Sequence, residues 1–461
     1  MRRTLPTIFF AALAIRWSYS VAMYAAMGDA GLLGVDSGDY IVQGQVFAAA
    51  FSNATLQGWD WLGPKPIMMP LYTWALAANV LVAGQHAAFL YVLMQGLFDA
   101  GTCLLIYGMA RTVDPRLALP AAIAAVINPT QIVIAGQVYP DTLFVFFVAL
   151  FLFGALRWLR APSWSAVLTI AVGMALSSWF RILVTPFVPV LAIVLLVGMA
   201  ASGRYRRVHL TQLATAVTIF ILSLAPISLR NAAVYDTWAL TPQVGMHLAR
   251  WVVPLTWEVN GQMSWASGYE EIERRADKLP HTVNENPFHQ SRRYIAVSVE
   301  ALSSAGMLAL TKAWLYGAAI NLGTPAILLS PPISSLPRTG FYGTTGQSAL
   351  EKIGNFMFRS DNKLYAYALL LGVAGVAIVR VLQLCGLAAL LRQGHAAAAL
   401  LLVLWCSFIL AVNGPVASPK YRLPMEPALA LFTAAGWLLL RRKQATAAGI
   451  AAADMSETPR T

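Results

Sequence analysis

Residues 5–27 read LPTIFFAALAIRWSYSVAMYAAM and are followed by the acidic patch Asp36-Ser37-Gly38-Asp39-Tyr40. The first stretch is long and apolar enough to cross a bilayer, since a spanning helix needs about 20 mostly apolar residues. The two carboxylates of the patch are costly to place in hydrocarbon. We therefore expect Asp36 and Asp39 at the membrane surface, where a carboxylate can exchange a proton with a substrate.

The whole chain has the composition of a polytopic membrane protein. Of its 461 residues, 58% are hydrophobic and 11% are charged, whereas a soluble domain carries about 25% charged residues. The net charge of +12 comes from Lys and Arg in short turns between apolar segments, which indicates topology rather than nucleic-acid binding. Cys103, Cys385 and Cys406 lie in apolar stretches, and their spacing indicates neither a disulfide framework nor a metal site.

The sequence predicts an all-α fold with ten membrane spans. The predicted spans are 5–27, 86–110, 117–136, 139–157, 164–182, 183–202, 210–228, 364–390, 396–413 and 425–440. The start of the chain could instead be a cleaved signal peptide. Because the first apolar run is longer than the apolar core of a signal peptide, an uncleaved span is favoured.

Charge decides whether two further apolar stretches, 67–84 and 301–322, also span. If neither does, the basic turns all fall on one side of the membrane, as the positive-inside rule requires. These turns hold Arg2, Arg3, Arg111, Arg116, Arg157, Arg160, Arg204, Arg206, Arg207, Arg392, Arg441, Arg442 and Lys443. Both stretches are therefore predicted to lie on the outer surface or to dip into it.

This topology predicts a single transmembrane domain over residues 1–443 with both termini in the cytoplasm. Three segments face outward, namely 28–85, 229–363 and 414–424. The tail 444–461 is Ala-rich and then polar, and is predicted to be a disordered cytoplasmic segment.

Several ionisable residues lie at the outer mouths of the predicted spans. Asp141 begins one span, where it could simply cap a helix. The cations at this level are Lys65, Arg181, Arg230 and Arg422. They are predicted to form a pocket that faces the carboxylates and binds phosphate, because a guanidinium donates two parallel hydrogen bonds. The simpler interpretation of Asp36 and Asp39 is a solvated loop.

Two charges fall in the middle of predicted spans. Arg16 lies in the first span and Asp99 in the second. A charge at this depth usually faces the bundle interior and finds a partner. A structural ion pair between the two is therefore favoured over a functional role.

In this order, the motifs resemble those of the polyprenyl-phosphate-sugar-dependent glycosyltransferases with the multi-span C-type fold. That superfamily includes protein O-mannosyltransferases and the aminoarabinose transferase of lipid A. The matching motifs are Asp36 with Tyr40, Met69-Pro70-Leu71-Tyr72, Asn128-Pro129, Tyr139-Pro140-Asp141-Thr142, Phe180-Arg181 with Pro186, Ala225-Pro226 with Arg230-Asn231, and Tyr421-Arg422-Leu423-Pro424 with Pro427. The chain departs from the family at Asp39, since the second acid is commonly adjacent to the first. Met69 and Ile227 stand where relatives have proline and tryptophan.

The resemblance implies a membrane enzyme of the bacterial inner membrane with its active site facing the periplasm. A sugar would pass from a polyprenyl-phosphate donor to an envelope lipid, glycan or protein, with inversion at the anomeric carbon. Asp36 would be the base, and Asp39 and Asp141 would orient the acceptor or hold a divalent cation. The predicted phosphate ligands are Lys65, Arg181, Arg230 and Arg422, and the predicted pocket tyrosines are Tyr40, Tyr72, Tyr139 and Tyr421. No spacing of ligand residues establishes a metal site.

Two other functions stay open at this point. A transporter or lipid flippase would use the outer carboxylates as substrate ligands, but its inverted repeats are not apparent in the sequence. A lipid-linked oligosaccharide ligase or polymerase would use a diphosphate donor. The early loop with two carboxylates favours a monophosphate donor.

Overall fold

The computed structural model describes residues 3–341, 343–346 and 348–456, and within these ranges the chain forms helices and no strands. The α-helices are α1 (Thr4–Met27), α2 (Ser37–Ser52), α3 (Pro70–Ala83), α4 (Ala87–Val113), α5 (Ala118–Val126), α6 (Pro129–Ala135), α7 (Asp141–Arg160), α8 (Trp164–Phe180), α9 (Phe187–Ala201), α10 (Arg207–Tyr235), α11 (Gln243–His247), α12 (Val253–Val259), α13 (Trp265–Asp277), α14 (Pro287–Gly323), α15 (Pro331–Ser334), α16 (Ala349–Phe358), α17 (Lys363–Arg392), α18 (Ala396–Asn413) and α19 (Glu426–Ser456). The all-α prediction is confirmed.

Nine of the ten predicted spans each coincide with one apolar helix, whereas the span predicted at 117–136 is divided between α5 and α6. By length and composition, the described part of the chain has eight helical segments able to cross a membrane, or nine if α5 and α6, bent by 48° at Ile127-Asn128, form one span. α8 and α9 are apolar too, but each has fewer than 18 residues. The additional candidate beyond the ten predicted spans is α14, which contains the ambiguous stretch 301–322.

The basic turns meet at one end of the helix bundle. The Arg160 guanidinium donates to the Thr112 carbonyl at 2.8 Å, and Arg204 donates to the Leu159 carbonyl at 2.9 Å. At the same end Asp114 accepts a 2.6 Å hydrogen bond from Arg116, which holds the pKa of the Asp114 carboxyl below its usual value. The ends of α4, α7 and α9 therefore lie together, as the charge pattern predicts, and we call this the basic end.

Helix α3 stays at the opposite end of the bundle. In its first turn, the Tyr72 ring packs edge-on against Tyr40 at 4.9 Å between centroids. After its last turn, His86 lies 3.3 Å from the hydroxyl of Tyr24 at the end of α1. Because α1 ends and α4 begins opposite the basic end, α3 both starts and finishes there, as expected of a surface helix.

Helix α14 is interrupted at Gly306, whose φ of 81° lies in the left-handed region. The half before this kink packs with α12 and α13 into a small second core. In the other half, Trp314 donates to the Ala411 carbonyl at 2.9 Å and Asn321 donates to the Val416 carbonyl at 2.8 Å. Residues 307–323 thus lie beside the last turn of α18 and the loop that follows it.

Arg16 and Asp99 form the buried ion pair predicted for the two mid-span charges. The Arg16 Nε donates to Asp99 Oδ2 at 2.6 Å, and its terminal nitrogens donate to the carbonyls of Ala125 and Val126. Gln131 donates to the other Asp99 oxygen at 2.8 Å. The pair therefore joins α1, α4 and the α5–α6 bend within the core.

The predicted tail lies partly beyond the described residues. α19 continues to Ser456, whereas residues 457–461 are outside the described part of the chain. The division into a domain at 1–443 and a tail at 444–461 stays a prediction.

Candidate active site

The site is assembled where the loop after α1 docks on the loop before α7. The Ser37 hydroxyl donates to the Val138 carbonyl at 2.8 Å, and the Val138 amide donates to the Leu32 carbonyl at 2.9 Å. Gly34 permits this close approach, because a Cβ there would lie 1.9 Å from the Tyr139 hydroxyl. Docking of the two loops brings Asp36 to the surface that Tyr139 forms.

Lys420 joins Asp36 to the far end of the chain. Its Nζ lies 2.9 Å from Asp36 Oδ2, above the Tyr139 ring at 4.5 Å from the centroid and near the Tyr421 ring at 5.7 Å. The Lys420 side chain is 12% exposed, whereas that of Asp36 is 46% exposed. The carboxylate is thus oriented by a shielded cation and stays accessible to a substrate.

A second ion pair lies beside the first. Asp141 begins α7 and Arg181 follows the last residue of α8, and their side chains form a salt bridge. Burial lowers the pKa of Arg181, but the negative charges of Asp141 and Asp36 and the neighbouring phenols outweigh it and raise that pKa above its usual value. Arg181 therefore stays charged across the physiological pH range.

Tyrosines connect the two pairs. Burial raises the pKa of Tyr40 to about 12, and Arg181, Lys420, Asp36 and Asp141 all lie close enough to influence it. Tyr91 donates its hydroxyl to the Tyr139 carbonyl at 3.1 Å. The Tyr72 hydroxyl is buried and has no hydrogen-bond partner among the described residues. These phenols are neutral, and we call Asp36, Tyr40, Tyr139, Asp141, Arg181 and Lys420 the open cluster.

Arg422 lies outside this cluster. Its Nε donates to Glu426 at 2.8 Å, its Nη2 donates to Thr130 at 2.8 Å, and its Nη1 donates to backbone carbonyls that include Thr324 at 2.8 Å. Asn128 donates to the second Glu426 oxygen at 2.8 Å. We call Asn128, Thr130, Arg422 and Glu426 the closed cluster. The contacts of Arg422 are those of a structural anchor, and the role of Arg422 as a phosphate ligand stays a prediction.

The other predicted residues are placed separately. Arg230 is buried and its Nε donates to Asn231 at 2.7 Å, and no contact links it to the open cluster within the described residues. Asp39 and Lys65 are exposed, and no hydrogen bond or ion pair is recorded for either side chain in the described part of the chain. Tyr421 reaches the cluster through its ring contact with Lys420.

Two residues beside the site were not among the sequence candidates. Lys420 precedes the predicted Tyr421-Arg422 motif, and its charge next to that motif was an available signal. His247 lies in the segment 229–363, where no motif singled it out. Burial and then the charge of Arg181 lower the pKa of His247.

An apolar cavity of about 350 Å³ lies between α14, α17 and the segment that precedes Lys420. Ser418 and Pro419, which immediately precede Lys420, form part of its wall. On another side Arg338 lies over the Tyr365 ring at 4.0 Å from the centroid. The Arg338 Nε is buried without a hydrogen-bond partner in the described ranges.

The described residues contain no group of three or more His, Cys, Asp and Glu side chains that could hold a metal ion. Asp36 and Asp141 are each paired with a cationic side chain. Whether the protein binds a divalent cation stays an open prediction.

Comparison with known proteins finds similar solved structures. No family model matches the sequence, and no curated protein matches it. The oligosaccharyltransferase of Archaeoglobus fulgidus in its apo form is 12% identical with a TM-score of 0.49, and the match covers 98% of this chain and 52% of that one. This chain thus spans about half the length of that protein.

ArnT from Cupriavidus metallidurans is also similar. With undecaprenyl phosphate bound, it is 18% identical with a TM-score of 0.39, and the match covers 93% of this chain and 77% of ArnT. In the apo state it is 17% identical with a TM-score of 0.38, with the same coverage.

Proposed function

We propose that this chain transfers a sugar from a polyprenyl-phosphate donor to an acceptor at the outer face of the bacterial inner membrane, with inversion. The observation that carries the proposal is the open cluster. In it the accessible Asp36 carboxylate pairs with the shielded Lys420, and the Asp141–Arg181 pair lies beside them. An apolar cavity adjoins the segment that precedes Lys420. The motifs that resemble the C-type glycosyltransferases contribute Asp36, Tyr139, Asp141 and Arg181 to it. A sugar phosphate with a long apolar tail matches each of these elements.

Asp36 is the base in this reaction. Its carboxylate takes the proton of the acceptor hydroxyl as the hydroxyl oxygen attacks the anomeric carbon. The bond from that carbon to the phosphate oxygen breaks on the opposite face, and its electron pair leaves with the polyprenyl phosphate. A positioned base of this kind typically contributes about 10²–10⁴ in rate.

Lys420 and Arg181 stabilise the charge of the leaving phosphate. The Lys420 side chain is 12% exposed and that of Arg181 29%, and an interaction between opposite charges is stronger near a protein surface than in bulk solvent. When the donor phosphate engages Lys420, the ammonium is drawn from Asp36 and the carboxylate becomes free to accept a proton. Of the four cations predicted from the sequence, Arg181 keeps the phosphate role in this proposal.

The apolar cavity beside Ser418 and Pro419 would hold the first isoprene units of the donor. Because Ser418 and Pro419 directly precede Lys420, the phosphate would reach this cation while the isoprene tail stays in the cavity and out of water. Arg338, with its unpartnered Nε, would contact the phosphate from the cavity side.

The orientation of the protein follows from the basic end. Lys and Arg accumulate in cytoplasmic loops, so the open cluster, at the opposite end, would face the periplasm. Labelling of single cysteines in intact cells tests this. Positions 36 and 343 should react with an impermeant maleimide, and positions 111, 157 and 206 should not. Strong labelling at position 111 would show that the protein has the opposite orientation.

The function is tested with purified protein and synthetic donors. Undecaprenyl monophosphate and diphosphate sugars are offered in parallel, and release of the lipid phosphate is measured. Use of monophosphate donors alone is expected. Exclusive use of diphosphate donors would indicate the ligase or polymerase instead, and movement of intact lipid without bond cleavage would indicate a flippase. Mass spectrometry of lipid A, exported glycoproteins and envelope polysaccharide from a deletion strain would identify the acceptor.

A further inference from the structure

His247 belongs to a separate part of the chain and lies within range of the Arg181 charge. It ends α11, which is fixed on both sides. Gln243 donates to the Ile67 carbonyl before α3, and the Gly245 amide donates to the Ser291 hydroxyl of α14 at 3.1 Å. The approach to α14 requires glycine, since a Cβ on Gly245 would lie 2.2 Å from the Ser291 carbonyl oxygen. These contacts fix α11 between the segment before α3 and α14.

The His247 ring presents an unused hydrogen-bonding atom. Its Nε2 is buried and finds no hydrogen-bond partner within the part of the chain that the structure describes. Buried polar atoms are nearly always paired, and an exception in a native structure requires an explanation. Burial and the nearby Arg181 charge lower the pKa of His247, so the ring is neutral at pH 7.

The backbone beyond His247 is also unusual. Residues Leu248–Val252 form a π-helical turn before α12 begins at Val253. Turns of this kind are rare and occur frequently at functional sites. This turn begins directly after His247 and is a second feature, independent of the ring, that sets the segment apart.

We propose that the Nε2 of His247 binds a hydroxyl of the transferred sugar. The inference rests on the proposed function and adds a residue that recognises the sugar. A hydroxyl both donates and accepts, so it pairs with either tautomer of a neutral imidazole. An ammonium group is disfavoured by the adjacent Arg181 cation. The donor phosphate already has Lys420 and Arg181 as charged partners.

The test separates sugar recognition from phosphate binding. Undecaprenyl phosphate and a panel of undecaprenyl-phosphate hexoses and pentoses are bound to the purified full-length protein in detergent, and affinities are measured by native mass spectrometry. The variants are His247→Phe, which fills the space without a hydrogen bond, and His247→Gln, which keeps an amide nitrogen near Nε2. His289→Phe, on an exposed part of α14, is the matched control.

In the wild type, one sugar donor should bind more tightly than undecaprenyl phosphate alone. His247→Phe should weaken the binding of that donor about tenfold, as expected when a buried hydroxyl loses its partner. The affinity for undecaprenyl phosphate alone should not change. His247→Gln should restore part of the difference, and His289→Phe should behave as wild type. The thermal unfolding midpoint of each variant shows that it is folded.

Three outcomes overturn the inference in different ways. If His247→Phe keeps the full preference for the sugar donor, His247 does not recognise the sugar. If His247→Phe weakens the binding of undecaprenyl phosphate as much as that of the sugar donor, the ring binds the phosphate instead. If the wild type binds neither ligand, the proposed function fails and this inference fails with it.

Discussion

Lys420 and Arg422 lie two residues apart in one 3₁₀ segment, Pro419–Met425, yet they belong to clusters of opposite character. Lys420 pairs with a carboxylate that is 46% exposed, whereas Arg422 pairs with Glu426, whose side chain is 5% exposed. With about three residues per turn, side chains two apart point to different sides of the segment. The same short segment thus supplies one cation to the open cluster and one to the closed cluster.

The two clusters differ in how fully their hydrogen bonds are satisfied. In the closed cluster, Nε, Nη1 and Nη2 of Arg422 all donate, and both oxygens of Glu426 accept. Beside the open cluster, Tyr72 and His247 each have a buried atom without a partner among the described residues. A saturated network fixes the fold, whereas unused polar atoms are available to a substrate.

The largest expected effect is the loss of the closed cluster. Arg422→Gln should destabilise the protein by about 3–5 kcal/mol, because removing one partner leaves Glu426 as a buried unpaired charge. The expected result is a large fall in the thermal unfolding midpoint in detergent. Arg441→Gln is the control, since Arg441 is exposed at the basic end.

This experiment also tests the role predicted for Arg422 from the sequence. Suppose that the Arg422→Gln protein has normal stability but no longer binds undecaprenyl phosphate. That result would show that Arg422 binds the phosphate. The distinction between the two clusters would then be wrong.

In the open cluster, the corresponding loss should be in activity. Asp36→Asn keeps the size of the side chain and removes the base, so transfer should fall by about 10²–10⁴ while the unfolding midpoint hardly changes. The control is Asp39→Asn, because Asp39 is an exposed carboxylate three residues away. Loss of lipid phosphate release is measured with the donor panel. Equal losses in the two variants would remove the special role of Asp36.

Much of the fold could be predicted because it depends on burial and charge along the chain. Apolar length marked the spans, and the bias of Lys and Arg placed Arg111, Arg160 and Arg204 at a common end, where the structure finds them. The Arg16–Asp99 pair followed from the cost of leaving either charge alone in the membrane. These inferences need only the depth of a residue in the membrane, which the hydropathy and charge pattern of the sequence indicate.

The site was predicted less completely because it depends on the direction of side chains. Asp36, Asp141 and Arg181 converge, whereas Arg422 and Arg230, at a similar predicted depth, have other partners. Depth does not tell which side of a 3₁₀ segment a residue faces, so Lys420 and Arg422 could not be separated. His247 depends on α11 docking against α14, a tertiary contact between segments without a recognisable motif.

Neutralising Lys420 should have a smaller effect than removing the base. Lys420→Met keeps most of the aliphatic stem and should weaken binding of undecaprenyl phosphate about 10- to 100-fold, since a charge-assisted hydrogen bond contributes about 1.5–3 kcal/mol. Lys65→Met is the matched control, because Lys65 was predicted for the same role and is exposed. A stronger effect at Lys65 than at Lys420 would place the phosphate elsewhere. Native mass spectrometry gives both affinities.

The smallest expected effect is a change of protein stability with pH that arises from His247. The charge that acts on His247 is that of Arg181, and burial together with Arg181 lowers the pKa of His247 below its usual value near 6.5. Below about pH 6.5 the unfolded chain therefore binds this proton more readily than the folded protein.

The stability difference between wild type and His247→Gln should accordingly be constant above about pH 7. As the pH falls from about 6.5 towards the lower folded pKa, the wild type should lose stability relative to the variant by at most about 1.4 kcal/mol per pH unit. Unfolding midpoints of both proteins from pH 8 to pH 5 measure this difference. A wild type that gains relative stability on acidification would show that a carboxylate already holds His247. The Nε2 atom of His247 would then not be free to bind a sugar. The contrast between unused polar atoms at the open cluster and saturated ones at the closed cluster would no longer apply to His247.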